Sequence, residues 1–274
     1  MLASASVTLT VYGFGPIVDN AKSIGRICEL EDAKENLETL DSAGDAAKAV
    51  GSGFAIGSAG LVTIAVFGAF AASTDLLVVN ILKPVELAGL LFGATLPYVF
   101  SGFILAGVVE SADQLITQIK TQEASEELNV DYYKPSLDLA IASSLQSTLL
   151  PCALAVGSPF LFGYLLGPRA LSGLLVGAIV SGVQLAGSSA ASGAAWSNAK
   201  KHIESGQLII EEQVQEKKSE AHINSVVSDG VGDALKDASG SSISILMKFM
   251  AITALVFGAY FSKSGGRMLH YFRG

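Results

Sequence analysis

The sequence predicts an all-α protein, a polytopic bundle of transmembrane helices, on three observations. Only 15% of the 274 residues are charged and half are hydrophobic, whereas a soluble domain carries about 25% charged residues. The charges are also clustered. Uncharged runs extend over Phe54–Thr74, Leu87–Val109, Leu139–Pro168 and Ala170–Ala199, and only Lys248 interrupts the apolar stretch between Asp237 and Ser262. A spanning helix needs about 20 apolar residues, and five such runs are too many for the core of one soluble domain. Finally, 29 glycines with many Ala and Ser suit helices that pack closely in lipid, where small side chains let backbones approach.

The composition excludes several function classes. Two cysteines, Cys28 and Cys152, give no disulfide framework. A net charge of -8 argues against a nucleic-acid partner, because such proteins need a basic surface. Seven prolines exclude a Pro-rich disordered chain.

The elements follow in order along a single membrane domain, 1–274. Leu2–Ile17 is apolar and runs into Asp19, without the basic segment or small-residue cleavage site of a signal peptide. Residues 1–27 therefore read as the end of a sixth helix whose beginning is absent. A loop at 28–46 leads into a span at 47–73. Asp75 to Glu86 forms a short turn before the span at 85–112, and a charged loop follows at 113–135. Spans at 136–167 and 169–200 are separated by the turn Gly167-Pro168-Arg169. A polar loop at 201–227, to which no chemistry is assigned, precedes the last span at 228–262. The first, third and fourth of these cores have the composition to continue as helix into water. Parity then puts the loops 28–46, 113–135 and 201–227 on one side of the bilayer. Eleven of the 17 basic residues fall on that side and five on the other, so the positive-inside tendency makes it cytosolic.

This topology gathers polar residues from distant positions at one membrane face: Asp19 and Asn20, Asp45 and Lys48, Asn198, Lys200 and Lys201, and Asp229, Asp233, Lys236 and Asp237. Asp229, Asp233 and Asp237 are spaced i, i+4, i+8, which makes one stripe on a helix. Three carboxylates in a stripe repel one another unless something cationic neutralises them. Mg²⁺ suits them, since it takes one or two carboxylates and keeps water or phosphate as its other ligands; nearby lysines would contact phosphate oxygens as point charges. A solvated, Asp-rich helix start favoured by the macrodipole is the plainer alternative. Lys248 lies 11 residues past Asp237, about 16 Å further along a helix. An intramembrane lysine usually has a partner and a transport role; snorkelling to an interface is the other reading.

Several segments resemble the membrane-integral, ion-pumping inorganic pyrophosphatases. Tyr12-Gly13-Phe14-Gly15-Pro16-Ile17-Val18-Asp19-Asn20-Ala21 resembles that family's YGPI-x-DNA segment, with two extra residues. Gly53-Phe54-Ala55-Ile56-Gly57-Ser58-Ala59 matches its GFAIGSA helix, and Leu96-Pro97-Tyr98-Val99-Phe100-Ser101 resembles LPYWFSA. Ser181-Gly182-Val183-Gln184 and Ala195-Trp196-Ser197-Asn198-Ala199-Lys200-Lys201 resemble GVQ and AWDNAKK, and Asp229 to Asp237 resembles GDTVGDPLKD. The blocks occur in the family's order and spacing over essentially the whole chain.

The resemblance implies a homodimer of sixteen-helix subunits, about ten of whose helices have no counterpart here. It implies a cytosolic site for Mg²⁺-pyrophosphate, in-line attack of water, and an ion gate beneath. By motif position, Asp19, Asp45, Asp229 and Asp233 fall at the metal-binding face and Asp237 on the residue that positions the water as general base. Lys200 and Lys236 fall on pyrophosphate contacts and Lys248 on the gate lysine. Lys48 falls where potassium-independent members carry Lys, whose ammonium replaces a bound K⁺. The chain departs from the family at five places: Ser197 replaces an acid, Asp45 an Asn, Ser52 a Lys, Ala234 a Pro, and Ile104–Val109 lacks the lysine of TMKSVG. Losing a carboxylate should slow phosphoryl chemistry, which charge neutralisation carries.

Three readings of function stay open on the sequence. The first is the C-terminal part of a proton-translocating pyrophosphatase, a fragment or a split-gene product that works with an N-terminal half. The second is a catalytically degenerate homologue acting as a membrane scaffold or subunit. The third is a passive ion pathway around Lys248. The implied membrane is vacuolar, another acidic organelle's, or a plasma membrane.

Overall fold

The computed structural model describes residues 5–27, 31–123 and 134–268. They form helices almost throughout: α1 (Ala5–Ile27), α2 (Lys34–Ser73), α3 (Pro84–Glu123), α4 (Lys134–Glu204), α5 (Glu220–Asp233) and α6 (Ser241–Ser264). A π-helical segment, Ala234–Gly240, joins α5 to α6 without a break. Four stretches are long and apolar enough to cross a membrane: Lys34–Ser73, Pro84–Thr121, Lys134–Glu204 and Glu220–Ser264. Only 22% of the most apolar window of α4 is buried within the chain, so most of that hydrophobic surface is left for lipid or for further protein. The architecture is the all-α membrane bundle that the charge-free runs predict.

Helices reach further into the charged segments than the sequence reading places them. The segment 28–46, read as a loop, is helical from Lys34, and α3 runs on to Glu123, well into 113–135. Residues 28–30 and 124–133 lie outside the described residues. The extensions are rich in Lys, Glu, Gln and Ala, which are good helix formers once a membrane span has nucleated the helix. The polar segment 201–227 contains a hairpin of β1 (Leu208–Ile210) and β2 (Gln213–Gln215) and the first turns of α5. Ser219 caps α5, its Oγ accepting the His222 N–H.

The 71-residue α4 is two helices joined at Gly167, whose φ of 85° and ψ of 177° are non-helical. A β-carbon strains that conformation, and Pro168 follows where a helix starts most readily.

The chain divides into two compact units. One comprises residues 59–186 and 237–268 of the described chain. Here α3 and the second half of α4 pack backbone to backbone. A β-carbon at Gly93 would meet the Leu174 carbonyl oxygen at 2.0 Å, and one at Gly177 would meet the Leu90 oxygen at 2.1 Å. Gly89-x₃-Gly93 thus faces Gly173-x₃-Gly177, the small-residue pattern of close-packed membrane helices. Phe160, Phe257 and Phe261 form a ring cluster beside this contact helix, with Phe160 edge-on to Phe257 at 5.2 Å. The buried Ser101 and Ser239 pair through their Oγ atoms at 2.6 Å, and the exposed Tyr98 Oη donates to Gln184 Oε1 at 3.1 Å; Glu86 Oε2, Ser158 Oγ and Ser244 Oγ are buried with no hydrogen-bond partner among the described residues.

The other unit comprises 5–58 and 187–236 of the described chain. In it α1 meets α2 where Gly15 lies against Gly44 and Lys48, and the end of α4 meets α5 where Gly193 lies against Gly232. These approaches bring the charged ends of four helices together.

Candidate functional site

The site grows from the helix ends of that second unit. On α2, Asp41, Asp45 and Lys48 follow helical spacing and so share a face. Asp41 is buried and accepts hydrogen bonds from Lys22 of α1 and, at 3.4 Å, an ion pair from Lys201 at the end of α4. Lys201 also donates to Asp45. Lys48 stands 3.9 Å from Asp19, which is exposed on α1.

A second chain of contacts joins α4 to α5. Lys200 donates to Asp229 Oδ2, and Ser197 Oγ donates to Asp229 Oδ1 at 2.8 Å. Lys236 Nζ lies 3.4 Å from the same Ser197 hydroxyl and 2.8 Å from Asp233. Asp229, Ser197 and Lys236 are all buried. Buried charges of this kind persist only when paired and hydrogen-bonded. Between the two networks lies a cavity of about 100 Å³, lined by Asp45, Lys48, Ser197, Asn198 and Lys236. A larger cavity of about 270 Å³ shares Lys236, Ala49 and Ala194 with it and is otherwise walled by small residues such as Ser52, Gly53 and Gly187.

Five lysines thus face five aspartates: Lys22, Lys48, Lys200, Lys201 and Lys236 against Asp19, Asp41, Asp45, Asp229 and Asp233. These ion pairs among the described residues match lysine and aspartate in equal number. Among the described residues no three His, Cys, Asp or Glu side chains gather where they could hold a metal ion. The carboxylates predicted as metal ligands are each paired with a lysine: Asp19 with Lys48, Asp45 with Lys201, Asp229 with Lys200 and Asp233 with Lys236.

Two carboxylates outside the predicted spans have shifted acidities. Burial works to raise the Asp41 carboxyl, but the hydrogen bond from Lys22 and the charge of Lys201 outweigh it and hold it below the ordinary carboxylate range. Glu204 ends α4 and accepts at 3.0 Å from His222. Burial again pushes upward, and the His222 hydrogen bond with the charges of Lys217 and Lys200 prevails, lowering it.

The predicted residues are not all brought together. Asp19, Asp45, Lys48, Lys200, Asp229, Asp233 and Lys236 belong to the described network. Asp237 is exposed and belongs to the other unit. Lys248 is half-buried in α6, and no ion pair to it is made among the described residues. Asp41 and Lys22 are the members that sequence reasoning missed. The i, i+4 spacing of Asp41 and Asp45 was a signal for the first once α2 is known to start at Lys34.

The family model for inorganic H⁺ pyrophosphatase matches residues 1–257. The chain belongs to the inorganic H⁺ pyrophosphatase family. Its family relatives include a Clostridium tetani protein provisionally named as a K(+)-stimulated pyrophosphate-energized sodium pump, 39% identical over 98% of this chain and 40% of that protein. A K(+)-insensitive pyrophosphate-energized proton pump of Methanosarcina mazei is 36% identical over 94% of this chain and 39% of its own length. A pyrophosphate-energized membrane proton pump of Arabidopsis thaliana is 33% identical over 95% and 35%. The chain therefore spans roughly two-fifths or less of the pyrophosphatase-family relatives it matches. Membership and the long apolar helices together make it an integral membrane protein.

Proposed function

We propose that this chain supplies the lysine-rich part of a cytosolic pyrophosphate site in a proton-translocating pyrophosphatase, completed by an N-terminal half and working as a homodimer. The observation that carries the proposal is the cluster Lys200–Asp229–Ser197–Lys236–Asp233, buried at Asp229, Ser197 and Lys236. Its lysines have carboxylate partners that a phosphate oxygen can replace, charge for charge. Magnesium enters as part of the substrate. A network with lysine and aspartate in equal number gives little long-range attraction to a bare polyanion, and a Mg²⁺–pyrophosphate complex carries less of that charge. Lys200 and Lys236 contact pyrophosphate in this reading, and Asp237 acts on the attacking water. Lys248 serves the ion gate, with its partner outside the described residues. Lys48, beside Asp19, takes the place of a potassium ion. Five membrane crossings follow if the halves of α4 on either side of Gly167 cross separately.

The relatives include sodium and proton pumps, so the test must read the ion. The protein is purified from its own membranes and reconstituted in vesicles, alone and together with the N-terminal region of a family relative. Magnesium-dependent pyrophosphate hydrolysis with sodium- and potassium-independent acidification, seen when the N-terminal region is present, is the expected result. No hydrolysis in either preparation overturns it.

The second reading, a degenerate scaffold, is favoured by Ser197, whose hydroxyl fills the gap between Asp229 and Lys236 where the family's motif carries an acid. Ser197→Asp separates the two. Hydrolysis rising at least tenfold identifies a weakened enzyme, and no turnover in either form identifies a scaffold.

A further inference from the structure

A pocket of about 280 Å³ lies between α3 and the first half of α4, within the unit that does not hold the lysine network. One wall is polar: Glu110 and Gln114 from α3, Ser143, Gln146 and Ser147 from α4. The rest of the lining is largely apolar, with Phe103, Leu150 and Pro151. The helices are drawn together here by a Ser111–Ser143 hydroxyl bond at 2.6 Å, and at Gly107 a β-carbon would meet Ser147 Cβ at 2.7 Å. Ala106 lines the space with a single methyl group.

Depth is fixed by the sequence. Glu110 is the first charge after the uncharged run Leu87–Val109, and Ser143 and Ser147 lie one and two turns past Asp138, the last charge before Leu139–Pro168. The polar wall therefore sits where hydrocarbon gives way to headgroups. Glu110 is exposed and only loosely held, with Gln114 Nε2 at 3.5 Å. A carboxylate at this depth calls for a cationic partner. Leu149 and Leu150 beside it are 71% and 56% exposed, an apolar surface suited to acyl chains.

We propose that this pocket binds the headgroup of an aminophospholipid such as phosphatidylethanolamine. The primary ammonium pairs with Glu110. The Gln146 amide and the Ser147 hydroxyl donate to the phosphate oxygens. The acyl chains lie over Phe103, Leu150 and Pro151. An anionic lipid is repelled by Glu110, and a trimethylated choline headgroup has no N–H to donate. The inference depends only on the membrane setting, so it stands or falls separately from the pyrophosphate reading.

The test is native mass spectrometry of the protein purified from its own membranes and placed in nanodiscs of equal phosphatidylethanolamine, phosphatidylcholine and phosphatidylglycerol. The expected result is at least tenfold retention of phosphatidylethanolamine over the other two, lost in Glu110→Gln and in Ala106→Leu, which fills the space. Thermal unfolding of both variants confirms that they are folded. Equal retention of all three lipids, or a preference unchanged in both variants, overturns the proposal. Displacement of the lipid by millimolar soluble ethanolamine overturns the lipid assignment in favour of a free ammonium ligand.

Discussion

Residues 59–186 and 237–268 hold together by backbone approach, Gly93 against Leu174 and Gly177 against Leu90, and by a ring cluster around Phe160. Residues 5–58 and 187–236 use glycines too, at Gly15 and Gly193, but what those glycines bring together is charge. The difference separates two tasks. In lipid no hydrophobic force drives helix onto helix, so packing needs close fit, and a fixed fit leaves nothing to exchange. A lysine–aspartate network is less stabilising, because burying the charges offsets much of their attraction. It is, however, a set of bonds that another anion can take over.

The largest expected effect lies in the glycine-packed unit. Gly93→Leu drives a side chain into the Leu174 backbone and should cost about 3 kcal/mol, read as a lowered unfolding temperature in detergent. Gly102, with nothing within 4 Å of a β-carbon, accepts Ala without loss. If both changes are tolerated alike, the close-fit account fails.

Next comes Lys200→Ala, which leaves the buried Asp229 with Ser197 and without its lysine. About 2 kcal/mol is expected, together with, on the proposed function, a tenfold or greater loss of pyrophosphate affinity. Lys22→Ala should cost less, about 1 kcal/mol, because Lys201 still faces Asp41. A larger loss at Lys22 than at Lys200 reverses the ranking of the two networks.

The smallest effect is with pH. Asp41 and Glu204 are both held below their ordinary acidities. Their contribution to stability is complete above the usual carboxylate value of about 4 and is lost as pH falls through the lower folded values. An unfolding temperature that drops below pH 4 in the wild type, and drops less in Asp41→Asn, is the expected pattern. The same drop in both removes Asp41 from the account.

The membrane core was legible because lipid imposes a simple demand: long runs without charge must be helices. Leu87–Val109 and Ala170–Ala199 both lie within helices. The lysine network was half legible. Lys200, Asp229, Asp233 and Lys236 were placed together by topology, but spacing alone does not show which lysine reaches which carboxylate. The β1–β2 hairpin left no usable signal. Its two turn residues, Glu211 and Glu212, have φ of 50° and 65°, where Asn-Gly or Asp-Gly is the usual mark. The π-helical segment was equally silent, because Ala234–Gly240 has the composition of an ordinary helix.

The bend at Gly167 has a practical consequence for mapping this protein in its membrane. Two helices of more than thirty residues each meet there with no loop between them, and Gly167 itself is buried. A protease or an antibody approaching that surface finds no strand of chain to grip, whereas Asp75–Lys83 offers nine non-helical residues. Epitope tags meant to report sidedness therefore belong in Asp75–Lys83; a tag at Gly167 would pry the hairpin apart and report on its own damage.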